Sequence, residues 1–405
     1  MHLTRFNITT IFIFLLFSML NLEAENLKVD ESFLSDLKKE SFKLQKEGAT
    51  KEADQLHDSW LDPIYGGYSY SIDNQPEDSK QHSQSAYISV DQAIFKSGGI
   101  YFAIKYANAL KSANLKNIEE QKKQLIKSVI SILYQIKDIE IQLEKQELVI
   151  ANADIDLERK TELYRNGQLD SSYVDDAMLT KNAQELTKLE LENSKRTLII
   201  QLEEVSDVDY KTVTLPKFKL ISQEQFVEQD LTLKELAHRI QSTKYYKKMQ
   251  FSRYFPSVNL TGGVYWNRTE NMFMGGMTRD SFNNDYWKIG LAISIPIVDF
   301  DRGYSNEIAR IDSMEAVLNK KDKERKLETQ YSLSIEKLKN IDNKIDLAKK
   351  NLELYNNLLA ETKEQYDVGR KTELDFKNLE NSKEIKNFEI QSLEIEKQLL
   401  LIDLV

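Results

Sequence analysis

Two hydrophobic ladders with a seven-residue step, one in each half of the chain, leave few folds open. The first is Val129, Ile136, Leu143, Ile150, Leu157 and Tyr164; the second is Tyr331, Leu338, Ile345, Leu352, Leu359 and Tyr366. Every rung is displaced by 202 positions, and a flanking set (Leu125, Ile132 and Ile139 against Leu327, Ser334 and Ile341) keeps the same offset. A strict heptad specifies left-handed coiled-coil packing. Its recurrence marks a tandem duplication. Both ladders end on a tyrosine three residues before a glycine. Gly167 is the only Gly or Pro between Ile100 and Leu215, and Gly369 the only one after Tyr304.

Such isolated glycines can take the left-handed conformation that closes a helix. Each is followed by a capping pattern, Ser172-x-x-Asp175 and Thr372-x-x-Asp375. The expectation is two helical hairpins, with long helices at about 100–164 and 304–366 and return helices at 172–205 and 372–404. At ~1.5 Å per residue each long helix extends roughly 95–100 Å. The return helices cover about half of that, and helix-like stretches at 30–58 and 231–252 are candidates for the rest. The first repeat is then 25–206, the second 231–405, and 207–230 a linker.

Strand patterns fall between the short and long helices, at about 63–95 and 256–298. Residues 287–297 put Trp287, Ile289, Leu291, Ile293, Ile295 and Ile297 on one face, opposite Lys288, Gly290, Ala292, Ser294 and Pro296. Residues 258–266 alternate likewise, and 68–72 and 87–90 more weakly. This pattern fits a soluble sheet with one wet face or a transmembrane barrel. The polar stretches 73–84 and 267–285 read as exposed turns. Four strands cannot close a barrel, since the smallest membrane barrels use about eight, and lipid tolerates no open edge. Membrane strands would therefore require an oligomer.

Composition removes other classes. A net charge of −10 argues against a nucleic-acid surface. No cysteine means no disulfide and no thiolate chemistry, and the four histidines show no metal-ligand spacing. No nucleophile elbow, Walker loop or Rossmann glycine triplet is present, so neither an enzyme, a cofactor nor a resident metal is expected. At the start, Arg5 precedes the apolar run 11–20, which is too short to span a bilayer but suits a signal peptide cleaved after Ala24 (residues 1–24).

With these features in place the sequence resembles the TolC family of outer-membrane efflux proteins over roughly 30–404. The carriers are QAIFKSGG (92–99) and IPIVDFDRG (295–303) at the strand-to-helix junctions, with Gly98, Gly99 and Gly303, and YRNG (164–167) and YDVG (366–369) at the hairpin tips. The resemblance implies a mainly α fold with a membrane β-barrel part. Tandem-duplicated helical hairpins would form a periplasmic α-barrel, and four strands per chain would complete a trimeric 12-stranded outer-membrane β-barrel. It implies the channel of a tripartite efflux or type I secretion system: a passive homotrimeric duct in outer-membrane lipid, meeting a periplasmic membrane-fusion adaptor and an inner-membrane pump of RND or ABC type.

The resemblance also implies that Tyr164, Gly167, Tyr366, Gly369, Arg370 and Lys371 are tip and adaptor-contact residues, and that Asp175 and Asp375 are aperture acids. In the family pattern the first turn here reads two residues longer than the second. A further family aspartate is Met178 in one copy and Asn378 in the other, and the family's tip arginine is Lys371. Both aspartates also read as helix caps at the third helical position, and the two roles stay open. A secreted coiled-coil stalk would lack strand pairs between its helices. A periplasmic adaptor would carry one hairpin rather than two.

Overall fold

The computed structural model describes residues 31–75, 79–273 and 279–405; the expected signal peptide lies outside them. The helices are α1 (Asp36–His57), α2 (Gly99–Arg165), α3 (Ser171–Val205), α4 (Gln223–Gln229), α5 (Leu231–Ser252), α6 (Phe300–Asp367) and α7 (Glu373–Ile402). The strands are β1 (Tyr65–Gln75), β2 (Ser79–Phe95), β3 (Ser257–Phe273) and β4 (Arg279–Ser294). The chain forms two compact units, and each draws on both repeats. One comprises residues 40–122 and 221–336; the other comprises 123–220 and 337–405 with the residues up to 39.

The first of these units holds all four strands in one antiparallel sheet of order β1-β2-β3-β4. The two hairpins, one from each repeat, join along β2 and β3 from Ser79↔Phe273 to Phe95↔Val258, with one irregularity between Ala93 and Phe95. Directly paired residues share a face, so the register sorts the side chains. One face carries Tyr68, Tyr70, Ile72, Ile88, Val90, Leu260, Val264, Trp266, Trp287, Ile289, Leu291 and Ile293. In the single chain its β4 rows are uncovered: Trp287 is 74% and Ile293 71% exposed.

The opposite face is polar, with Ser69 and Ser85 hydroxyls 2.7 Å apart. Across it run Tyr87, Tyr265 and Tyr286, with near-parallel rings and centroids 6.1 and 5.0 Å apart. A Cβ on Gly67 would come within 2.5 Å of the Tyr87 ring, so the row needs a glycine beneath it.

Three boundaries differ from the sequence reading. The polar stretches 73–84 and 267–285 are largely strand, because ladder pairing is made by backbone groups whatever the side chains. β4 stops at Ser294, since Pro296 has no N–H to donate. The linker contains α4, started by a full capping box between Ser222 and Gln225.

The second unit packs the two helical hairpins. Ile126, Val129, Ile130, Leu133 and Ile136 of α2, Leu338, Ile341 and Ile345 of α6, and Leu202, Leu401 and Ile402 of the return helices are buried. The ladders are buried at Val129, Ile136, Leu338 and Ile345, half-buried at the rungs nearer the tips, and end on exposed tyrosines, Tyr164 at 48% and Tyr366 at 39%. The linker is tied into this unit by polar bonds: Tyr134 Oη donates to the Pro216 carbonyl (2.7 Å), and Phe218 N–H to Gln398 Oε1 (2.8 Å).

Candidate functional site

At both tips the long helix closes in the same way. Gly167 has φ +70° and Gly369 φ +73°. Gly167 N–H donates to the Tyr164 carbonyl and Gln168 N–H to that of Leu163; Gly369 and Arg370 repeat these bonds to Tyr366 and Gln365, all at 2.8–2.9 Å. This is the Schellman pattern. No atom lies within 4 Å of a Cβ at either glycine, so backbone conformation alone demands them. The two tyrosines therefore serve the tips through their carbonyls. In addition, Tyr366 stacks on Phe376 at 6.1 Å and 19°.

The return helices start differently from expectation. α3 is capped by Asp170, whose carboxylate accepts the Ser172 N–H at 3.1 Å, not by Ser172 with Asp175. α7 does have the expected box: Thr372 Oγ1 accepts from Asp375 N–H (3.2 Å) and Asp375 Oδ2 from Thr372 N–H (3.1 Å). Asp170 and Thr372 both stand three residues past their glycine, so the turns are equal in length and the two-residue difference is corrected. Aspartate caps as well as serine, and here it comes first.

Asp375 then corresponds to Tyr173, while Asp175 sits two residues on, about 200° around its helix. The two acids are not equivalent. Asp175 is exposed and makes no hydrogen bond or ion pair among the described residues. Asp375 is held by Thr372 and by Arg159 of α2, Nη2 to Oδ1 2.7 Å. The Thr372 backbone N–H, then its hydroxyl, then the charges of Arg159 and Lys371 keep the Asp375 carboxyl below its ordinary pKa against a modest cost of burial. Arg370 and Lys371 are exposed at the tip.

The contact of Arg159 with Asp375 is the last rung of a polar ladder between the hairpins. Up from the tip, Asn152 meets Asn381 (2.9 Å) and Ser382 (3.3 Å), Lys145 meets Glu389 (3.4 Å), and Asp138 accepts from Ser392. The α2 members recur every seven residues (138, 145, 152, 159), as do 375, 382 and 389 on α7. Within the first hairpin a second heptad series pairs Glu140 with Lys195, Glu147 with Lys188 and Asp154 with Lys181 at 2.7–3.0 Å. In the second hairpin Asp342–Lys397, at 2.6 Å, is the counterpart of the first of these. These residues were missed in the sequence; a search for heptads of polar residues would have found them.

Of the junction glycines, Gly98 (φ +87°) precedes α2 and Gly99 opens it. Gly303 lies within the first turn of α6, which begins at Phe300.

Residues 223–399 match the outer membrane efflux protein family. The fold is TolC-like. No curated protein matches it by sequence, but solved outer-membrane channels match its fold. The Campylobacter jejuni CmeC channel is 15% identical with TM-score 0.69, over 92% of this chain and 84% of its own. Vibrio cholerae VceC is 14% identical with TM-score 0.68, over 90% and 91%. The open Neisseria gonorrhoeae MtrE channel is 16% identical with TM-score 0.62, over 90% and 84%. The second repeat thus carries the sequence pattern of that family, and the chain as a whole has the fold of these outer-membrane channels.

Proposed function

We infer that three copies assemble into one passive duct, which docks by its hairpin tips onto a periplasmic adaptor driven by an inner-membrane pump. One observation carries this reading: among the described residues the sheet has one uncovered apolar face and two unpaired edges, β1 and β4. Lipid tolerates neither open edge. Three such sheets supply twelve strands, enough for closure, with the apolar face toward lipid and the polar face toward the bore.

The helices point the same way. Leu179, Leu186 and Ile200 of α3 and Leu333, Leu347 and Leu354 of α6 fall on heptad positions and are 56–66% exposed. A neighbouring copy would bury them as coiled-coil seams. Opening would separate the hairpins along the polar α2–α7 ladder, whose partly exposed ion pairs are individually weak. Tyr164, Gly167, Tyr366, Gly369, Arg370 and Lys371 would shape the surface that the adaptor, and through it an RND- or ABC-type pump, engages. Asp175 would be the free acid of the aperture.

Light scattering of the detergent-purified protein tests the assembly. A mass of three chains supports it, and a stable monomer that floats free of outer membranes overturns it. Cross-linking from cysteines placed at Gln168 and Arg370 tests docking; capture of the adaptor at those sites, lost on moving the cysteines to mid-helix, is the expected result.

A further inference from the structure

The strand unit contains a cavity of about 450 Å³ where β2 leads into α2 and β4 into α6. Trp60, Lys96, Ser252, Arg253, Phe255 and Arg302 line it. Its walls are built tightly. Ser97 (φ +49°) and Gly98 turn the chain, Ser97 Oγ donates to the Pro256 carbonyl at 2.7 Å, and a Cβ on Gly99 would lie 2.6 Å from Ser252 Oγ.

Three cations in one cavity stand out in a chain of net charge −10. Arg302 is fixed: its Nε pairs with Asp299 at 2.7 Å and its Nη1 donates to the Arg253 carbonyl. Lys96 and Arg253 are exposed and have no side-chain partner among the described residues. Beside them Trp60 and Phe255 offer apolar rings. A fixed guanidinium, two uncommitted cations and aromatic walls fit a ligand with an anionic group on a planar apolar body. The cavity also touches Ser257 and Ser294, which pair at the end of the polar face of the sheet.

We propose that this cavity is a binding station for amphipathic organic anions (aromatic sulfonates, carboxylates or phosphate esters) travelling as cargo. That it opens on the bore rests on the trimeric reading above. The site itself lies within one chain.

The test uses the full-length protein in neutral maltoside detergent, titrated calorimetrically with 2-naphthalenesulfonate. Saturable binding that weakens with added salt is expected, together with roughly tenfold or greater loss in the Lys96→Gln, Arg253→Gln double variant. Lys96→Arg with Arg253→Lys should restore it. Equal binding by the double variant, or by a cationic naphthalene of the same size, overturns the proposal.

A lipid headgroup shares the anionic chemistry, so the titration is repeated in nanodiscs of phosphatidylcholine and of phosphatidylglycerol. Loss of naphthalenesulfonate binding in phosphatidylglycerol alone would assign the cavity to lipid and overturn the cargo role. Light scattering on the same samples separates the two readings. Binding by a monomer keeps the site and sinks the trimer, whereas a trimer that binds nothing does the reverse.

Discussion

Replacing Gly369 by valine would force a β-branched residue to a φ near +73°, with no neighbour in the way and no space gained by moving one. The cost is conformational, about 1–2 kcal/mol, and falls on the tip alone. Gly369→Asn should be mild, because asparagine accepts this region. The expected outcome is efflux lost in Gly369→Val and Gly167→Val and kept in both Asn variants, measured as drug susceptibility alongside trimer yield.

The acid beside this turn has a defined pH behaviour. The folded pKa of Asp375 lies below its unfolded value, so its contribution is complete above the ordinary carboxylate range and is lost as pH falls through the depressed folded value. Asp375→Asn should remove that part of the acid dependence of tip stability, read by hydrogen exchange of the first α7 turn, while Asp175→Asn should leave it unchanged. Asp175→Asn should instead relieve multivalent-cation block of a single channel, an effect that Asp375→Asn shares less, since Asp375 is already neutralised by Arg159.

At this scale the glycines were legible because each stands alone in a long helical stretch. The first cap was not, because Asp170 and Ser172 are both sound caps and the pattern does not say which the chain meets first.

Among the elements, the ladders reported the long helices well, since a heptad over six rungs has no other economical use. The strands were legible in their apolar halves, Trp287–Ile293 and Val258–Trp266, and hidden in their polar halves. There Ser, Asn, Asp and Arg occupy both faces, and only backbone pairing defines the strand. The contacts between hairpins were hidden too, because polar heptad positions look like solvated surface until a partner helix is placed beside them.

Their arrangement makes the hairpins unequal. The first is stitched by three lysine–carboxylate pairs, the second, among the described residues, by the single pair Asp342–Lys397, and α7 bonds to α2 as well. A disulfide between Asn152→Cys and Ser382→Cys, in a chain that otherwise has no cysteine, should hold the α2–α7 ladder shut. Conductance in a planar bilayer should be low when oxidised and recover on reduction; unchanged conductance would mean that opening does not separate this pair.

For the whole molecule, the exposed heptad leucines supply a test of assembly separate from folding. Leu186→Glu with Leu347→Glu should leave the helical circular dichroism of a chain intact, because neither side chain belongs to its core. The same pair should cut the trimer fraction by tenfold or more.

The open sheet has a kinetic consequence. Within one chain it ends on β1 at one side and β4 at the other, and among the described residues no strand remains to cover either. On the trimeric reading, satisfying those edges is a meeting between molecules, second order or higher in protein, whereas winding the hairpins is first order. Dilution slows the one and leaves the other untouched. The expected outcome at low abundance is a chain with its helices wound and its sheet unfinished, whose maturation speeds up with the number of copies made together.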